Sequence, residues 1–177
     1  MGKSLKELAV CAVIAVTPQA RATDARFEPV SDRVVQTMLW LADVSPADLV
    51  YDLGCADARL VITAVRRFGA RAVCLDPDSA RIAESREKAR RAGVAGRIRF
   101  INEHFSIMHI GRATVVVLLL SPALNLGVRP KLLDELKPGT RVVSYGHGMG
   151  DWKPELTAHV RSAGLDRPVY LWSVPVR

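Results

Sequence analysis

Short apolar runs alternate along this chain with segments whose apolar residues recur at helical spacing, and that alternation predicts most of the fold. Leu49–Leu53 is a brief β-prone run carrying one acid, which reads as a buried parallel strand. Gly54 breaks it, and Ala58–Phe68 then sets Leu60, Ala64 and Phe68 on one helical stripe. Upstream, Ser31 is placed to cap a helix with Val34, Val35, Met38, Leu39 and Leu41 on its apolar face, and Pro46 marks the next loop. Ala70–Leu75 is a second strand ending at Asp76-Pro-Asp78. Ser79–Ala92 is a polar amphipathic helix closed by Gly93, and Arg97–Ile101 alternates as a third strand. The most apolar run, Ala113–Leu120, predicts a central strand. Pro122–Asn125 reads as a turn or short helix, and Pro130–Leu136 as a separate helix that Pro138-Gly139 stops. Thr140–Tyr145 is a fifth strand. Glu155–Val160 and Pro168–Val174 then flank Ser162–Asp166 as a hairpin. The sum is an α/β domain with a mostly parallel sheet and an antiparallel edge.

The amino terminus departs from this pattern. Lys3 and Lys6 precede an apolar run, Leu8–Val16, too short to span a bilayer, and Ala20-Arg-Ala22 follows as a small-residue cleavage site. Residues 1–22 therefore read as a signal peptide and 23–177 as the mature domain. The protein is then periplasmic or secreted, with no stable membrane insertion once the signal is removed. The alternative is a buried N-terminal helix in a cytoplasmic protein. The 177 residues suit one core, and the formal net charge of +7 comes from scattered arginines rather than basic runs interleaved with aromatics. That distribution predicts solvated helix faces and no nucleic-acid partner. Cys55 and Cys74 could pair only if neighbouring strands bring their Cα atoms within about 7 Å; two buried free thiols are the expectation. No C-x-x-C or H-E-x-x-H spacing argues for a metal.

Chemistry concentrates after the first strand. Gly54-Cys-Ala-Asp-Ala-Arg59 has only the first glycine of a dinucleotide fingerprint. Asp52-Leu-Gly-Cys-Ala-Asp-Ala-Arg59 instead resembles the D-x-G-x-G-D-G-R loop of class I S-adenosylmethionine (SAM) methyltransferases, with alanines at the two later glycine positions. The likeness extends over about residues 27–175. Phe27-Glu-Pro29, Ala113-Thr-Val-Val116, Pro122-Ala-Leu-Asn125, Arg129-Pro-Lys-Leu-Leu133, Glu135-Leu-Lys-Pro-Gly-Thr-Arg-Val-Val-Ser144 and Met149-Gly-Asp-Trp152 match a group of small bacterial methyltransferases. That group is similar to the mitochondrial lysine methyltransferases acting on the ATP synthase c-subunit and the adenine nucleotide translocase.

The resemblance implies a Rossmann-like, seven-stranded class I methyltransferase sheet with SAM as cofactor. It implies a SAM site at Asp52, Gly54, Cys55, Ala56, Asp76, Pro77, Glu103 and His104. Asp76 takes the ribose hydroxyls and Asp52 helps fix the methionine ammonium. Acceptor-side candidates are Ser121, Asn125, Tyr145 and His147; no catalytic residue is singled out. The acceptor is a small molecule or a protein, with protein lysine among the candidates; a lysine must be neutral to attack. Departures from the family pattern are Ala56, Ala58, His104 in place of an acid, and Leu119 in place of an aromatic. These leave a second reading, an exported methyltransferase-fold module that binds without turning over. Ala56 is the pivotal departure. If its φ is positive, Ala56→Gly is expected to tighten SAM binding at least about tenfold, by relieving backbone strain and removing a methyl aimed at the ligand.

Overall fold

A computed structural model describes residues 30–176, so the signal reading and the Phe27-Glu-Pro29 match lie outside the described residues. The Ser31 hydroxyl accepts the Val34 N–H at 3.4 Å and opens α1 (Asp32–Leu41). The chain continues through β1 (Leu49–Leu53), α2 (Arg59–Phe68), β2 (Arg71–Asp76), α3 (Ser79–Arg91), β3 (Ile98–Asn102) and β4 (Val115–Leu118). It ends with α4 (Pro122–Glu135), β5 (Arg141–Tyr145), β6 (Leu156–Ser162) and β7 (Leu165–Ser173). One seven-stranded sheet forms in the order β3-β2-β1-β4-β5-β7-β6. Strands β1 to β5 are parallel, and β7 runs antiparallel to both its neighbours. This is the expected class I methyltransferase sheet, with β4 central and the hairpin at its edge.

Each sheet face buries its own apolar set. Val50, Ala72, Cys74, Val115 and Val117 pack with α1, α2 and α3 residues, while Leu53, Leu75, Val116, Leu118 and Trp172 pack with Val128 and Leu132 of α4. The hairpin turns through Ala163 (φ 50°) and Gly164 (φ 78°), and two left-handed residues suit the twist of a two-residue β-turn. Among the described residues no helix is long and apolar enough to cross a membrane.

Two expectations need correction. The break between Pro122–Asn125 and Pro130–Leu136 is absent, and α4 runs unbroken with Pro130 inside it. A mid-helix proline costs about 3 kcal/mol, but Asn125, Val128 and Leu132 are all buried on one stripe, and tertiary packing outweighs the local propensity. The two thiols are not free either: Cys55 and Cys74 form a disulfide, their Cα atoms 5.3 Å apart.

The strand order moves outward from β1 to β3 and then returns to β4 on the other side of β1. Such a switch point opens a crevice at the carboxyl ends of the strands. Register brings the chemistry there: Asp52 lies opposite Cys74, and Asp76 opposite Asn102. The opposite, amino-terminal edge is clamped by Asp48. Its carboxylate accepts from Thr114 Oγ1 at 2.7 Å and from Ser45 N at 2.7 Å, and it pairs with Arg141. Arg141 also donates to the carbonyls of Ala42 and Asp43 at 2.6 and 2.8 Å.

Candidate active site

Three positive φ angles shape the loop after β1: Gly54 at 92°, Ala56 at 44° and Ala58 at 59°. They fall at the three positions where the resembled loop has glycine. The loop therefore keeps the glycine-type path even though two of its residues carry a Cβ, a conformation costing alanine about 1–2 kcal/mol per residue. The condition on the Ala56→Gly expectation is met. Its steric half finds no support, because Ala56 is buried and only 6% exposed.

The loop is fastened to β2. The N–H groups of Gly54 and Cys55 both donate to the Leu75 carbonyl, at 2.8 and 3.0 Å. Ala56 N donates to Asp76 Oδ2 at 3.1 Å, and Ser85 Oγ of α3 donates to the Ala56 carbonyl at 2.9 Å. Asp76 Oδ1 takes Asp78 N at 2.9 Å, and Asn102 Nδ2 of β3 donates to the Asp76 carbonyl at 3.1 Å. Asp76 thus organises the local turn and still has a free lone-pair direction on each oxygen. Asp78 caps α3, accepting from Ala80 N at 2.8 Å.

Asp52 is the outlier of the site. It is buried, and its Oδ1 has no hydrogen-bond partner. Burial, then the neighbouring Asp57 and Asp76 carboxylates, push its pKa up to about 8. It lines a cavity of about 10 Å³ with Gly54, Cys55, Asp57, Arg59 and Leu119. Arg59 bridges this rim, donating to Asp57 Oδ2 at 3.2 Å and to the Val30 carbonyl.

The other candidates divide by exposure. Pro77, Glu103 and His104 stand exposed on the rim around the tips of β2 and β3. His104 Nδ1 is engaged by Ser106 Oγ at 2.7 Å, and the imidazole lies 4.3 Å from the Phe105 ring. Ser121 caps α4, accepting from Leu124 N at 3.4 Å, while Tyr145 and His147 are half-buried beyond β5. Asn125 is fully buried and donates to Ser144 Oγ at 2.8 Å and to the His147 carbonyl at 3.0 Å, while its Oδ1, like that of Asp52, has no partner among the described residues. Ser144 Oγ also donates to that carbonyl, at 2.9 Å. Burial, then Arg167, holds the His147 pKa below its ordinary value. Sequence reasoning missed Ser85, Asn102, Asp57 and Arg59. Only Asp57 and Arg59 carried a signal, since they sit inside the motif.

These residues fit SAM. An orphaned buried carboxylate oxygen suits a cationic partner, the left-handed loop turns its backbone around the crevice, and an acid stands at the tip of β2. When bound, SAM supplies a methyl group on a sulfonium. Asp76 would accept its ribose hydroxyls, Asp52 would face its ammonium, and Glu103 and His104 would border the adenine. Transfer is an in-line displacement, so the protein contributes chiefly alignment and exclusion of water.

Comparison with known proteins agrees. The profile of the ANTKMT methyltransferase domain matches residues 52–156. A protein-lysine N-methyltransferase of Saccharolobus islandicus is 38% identical over 149 residues, 84% of this chain and 92% of that protein. The crystal structure of an RNA methyltransferase from Salinibacter ruber in complex with S-adenosyl-L-homocysteine superposes with a TM-score of 0.80 at 41% identity, covering 85% of this chain and 95% of that one. TrmN from Thermus thermophilus shares the fold at a TM-score of 0.68 and 20% identity, over 81% of this chain and 48% of its own. The fold, the loop and these similarities converge: the chain belongs to the ANTKMT methyltransferase domain family and is a SAM-dependent methyltransferase.

Proposed function

We propose that the chain transfers the SAM methyl group to a protein lysine. The observation carrying this reading is the 38% identity with a protein-lysine N-methyltransferase along 92% of that relative. The acceptor side supports it chemically. A lysine attacks only as the free amine, and positive charge beside it lowers its pKa. Arg167 supplies such charge next to His147, while His147 itself, its pKa lowered, stays neutral at pH 7. Methyl-labelled SAM incubated with the protein and an extract of its native cells tests this. Label should appear in methylated lysine after proteolysis and mass spectrometry.

A second reading, RNA as acceptor, rests on the Salinibacter ruber relative and on a groove of about 470 Å³ beside α2. Arg59, Arg66, Arg67 and Lys88 line that groove, with Asp32 and Asp57 among them. Nuclease-sensitive label would favour it. A small-molecule acceptor would leave the label in neither polymer. No label in any fraction, with cofactor binding intact, would favour the silent binding module.

We also propose that residues 1–22 are removed on export. The basic, apolar and Ala20-Arg-Ala22 pattern supports this, and a Cys55–Cys74 disulfide suits an oxidising compartment.

A further inference from the structure

We propose that the Cys55–Cys74 disulfide is a positioning device for SAM, holding the loop after β1 in the left-handed path that Ala56 and Ala58 would not keep unaided. The inference rests on the SAM site described above and is independent of the acceptor. Both alanines occupy a backbone region that glycine enters freely and that a Cβ disfavours. Such conformations persist only where the surroundings over-determine them. Gly54 and Cys55 are held by backbone bonds to Leu75, but Ala56 N is held by the Asp76 carboxylate. Asp76 is also the group placed to take the ribose hydroxyls, so this tether shares its carboxylate with the ligand. The disulfide draws on no polar group that the ligand needs. It joins the residue directly before Ala56 to β2, two positions short of Asp76, and is buried at both ends. Cα atoms 5.3 Å apart fix the loop's entry to β2 whether or not ligand is present.

In this account the covalent link does what the two missing glycines would otherwise do. Without it, the alanines relax toward negative φ and the binding-competent loop becomes a minority state. Affinity then falls by the fraction that remains competent, so a one-in-ten population weakens binding about tenfold. Glycines at 56 and 58 make the same path accessible without the link. The roles of disulfide and glycines are therefore interchangeable, a relation that a merely stabilising disulfide does not predict.

Calorimetric titration of S-adenosylhomocysteine into four proteins tests this: wild type, Cys55→Ala/Cys74→Ala, Ala56→Gly/Ala58→Gly, and the fourfold variant. The disulfide-free protein should bind about tenfold or more weakly, and the fourfold variant should return to within about threefold of wild type. The glycine pair with its disulfide intact should also stay within about threefold of wild type, in place of the roughly tenfold gain expected from the sequence alone, because the loop is already held. Unfolding curves on the same samples separate affinity from stability. Should the disulfide-free protein melt below the assay temperature, the comparison moves to the glycine background, where removing the disulfide must leave affinity unchanged. Wild-type affinity in the disulfide-free protein would overturn the inference, as would failure of the glycines to rescue it. Absence of binding by wild type would overturn the SAM site itself and the inference with it.

Discussion

At the scale of single residues, Asp52 makes the sharpest statement. A carboxyl raised to about pH 8 in the folded state is protonated at pH 7, whereas in the unfolded chain it ionises near 3.9. The folded protein therefore holds the extra proton between those values. Stability falls as pH rises through that window, by up to about 1.4 kcal/mol per unit, and levels off above pH 8. Asp52→Asn should remove that slope and leave the protein more stable at pH 8, as chemical denaturation at several pH values would show. The same group couples to ligand. An ammonium facing Asp52 favours its carboxylate, so binding at pH 7 should release close to one proton. Calorimetry in buffers of different ionisation enthalpy reads this directly. Equal apparent enthalpies in all buffers would remove Asp52 from the ammonium's surroundings.

Among the elements, those with clean periodicity were legible and those depending on distant packing were not. Leu49–Leu53 and Ser79–Arg91 matched their patterns because the strand is buried almost throughout and the helix buries Ile82, Ser85 and Ala89 on one stripe. The run through Pro130 did not, because buried Val128 and Leu132 outweigh a breaker that looks dominant locally. The site divides the same way. Asp52 and Asp76 followed from motif and strand ends, whereas Ser85 and Asn102 act through contacts 29 and 26 residues away in sequence. The clamp at the amino-terminal edge of the sheet was likewise invisible until β1, β4 and β5 aligned. Burial alone would raise the Asp48 pKa, but Thr114, Ser45 and Arg141 outweigh it and the net shift is downward. Its contribution is thus present above the unfolded value near 3.9 and is lost as pH falls through the folded one. Arg141→Ala leaves Asp48 buried without its charge partner and should cost about 3 kcal/mol. Urea unfolding at pH 7 checks this, and a loss under about 0.5 kcal/mol would mean the clamp is idle.

For the whole molecule, the methyltransferase sheet and the proposed export pull in different directions, because SAM is made and used in the cytosol. Amino-terminal sequencing of protein isolated from its native cells should begin at Thr23. An intact Met1 on soluble cytosolic protein would end the export proposal, and the disulfide would then need an oxidant in a reducing compartment. The central claim, a SAM site across the tips of β1, β2 and β3, does not depend on that result. Its most direct test is calorimetric titration of S-adenosylhomocysteine into the full chain and into Asp76→Ala. Wild type should saturate at one ligand per chain, and Asp76→Ala should bind more weakly by about 1–3 kcal/mol through lost charge-assisted hydrogen bonds. No heat from wild type at millimolar ligand, or equal affinity in the two proteins, would contradict the account.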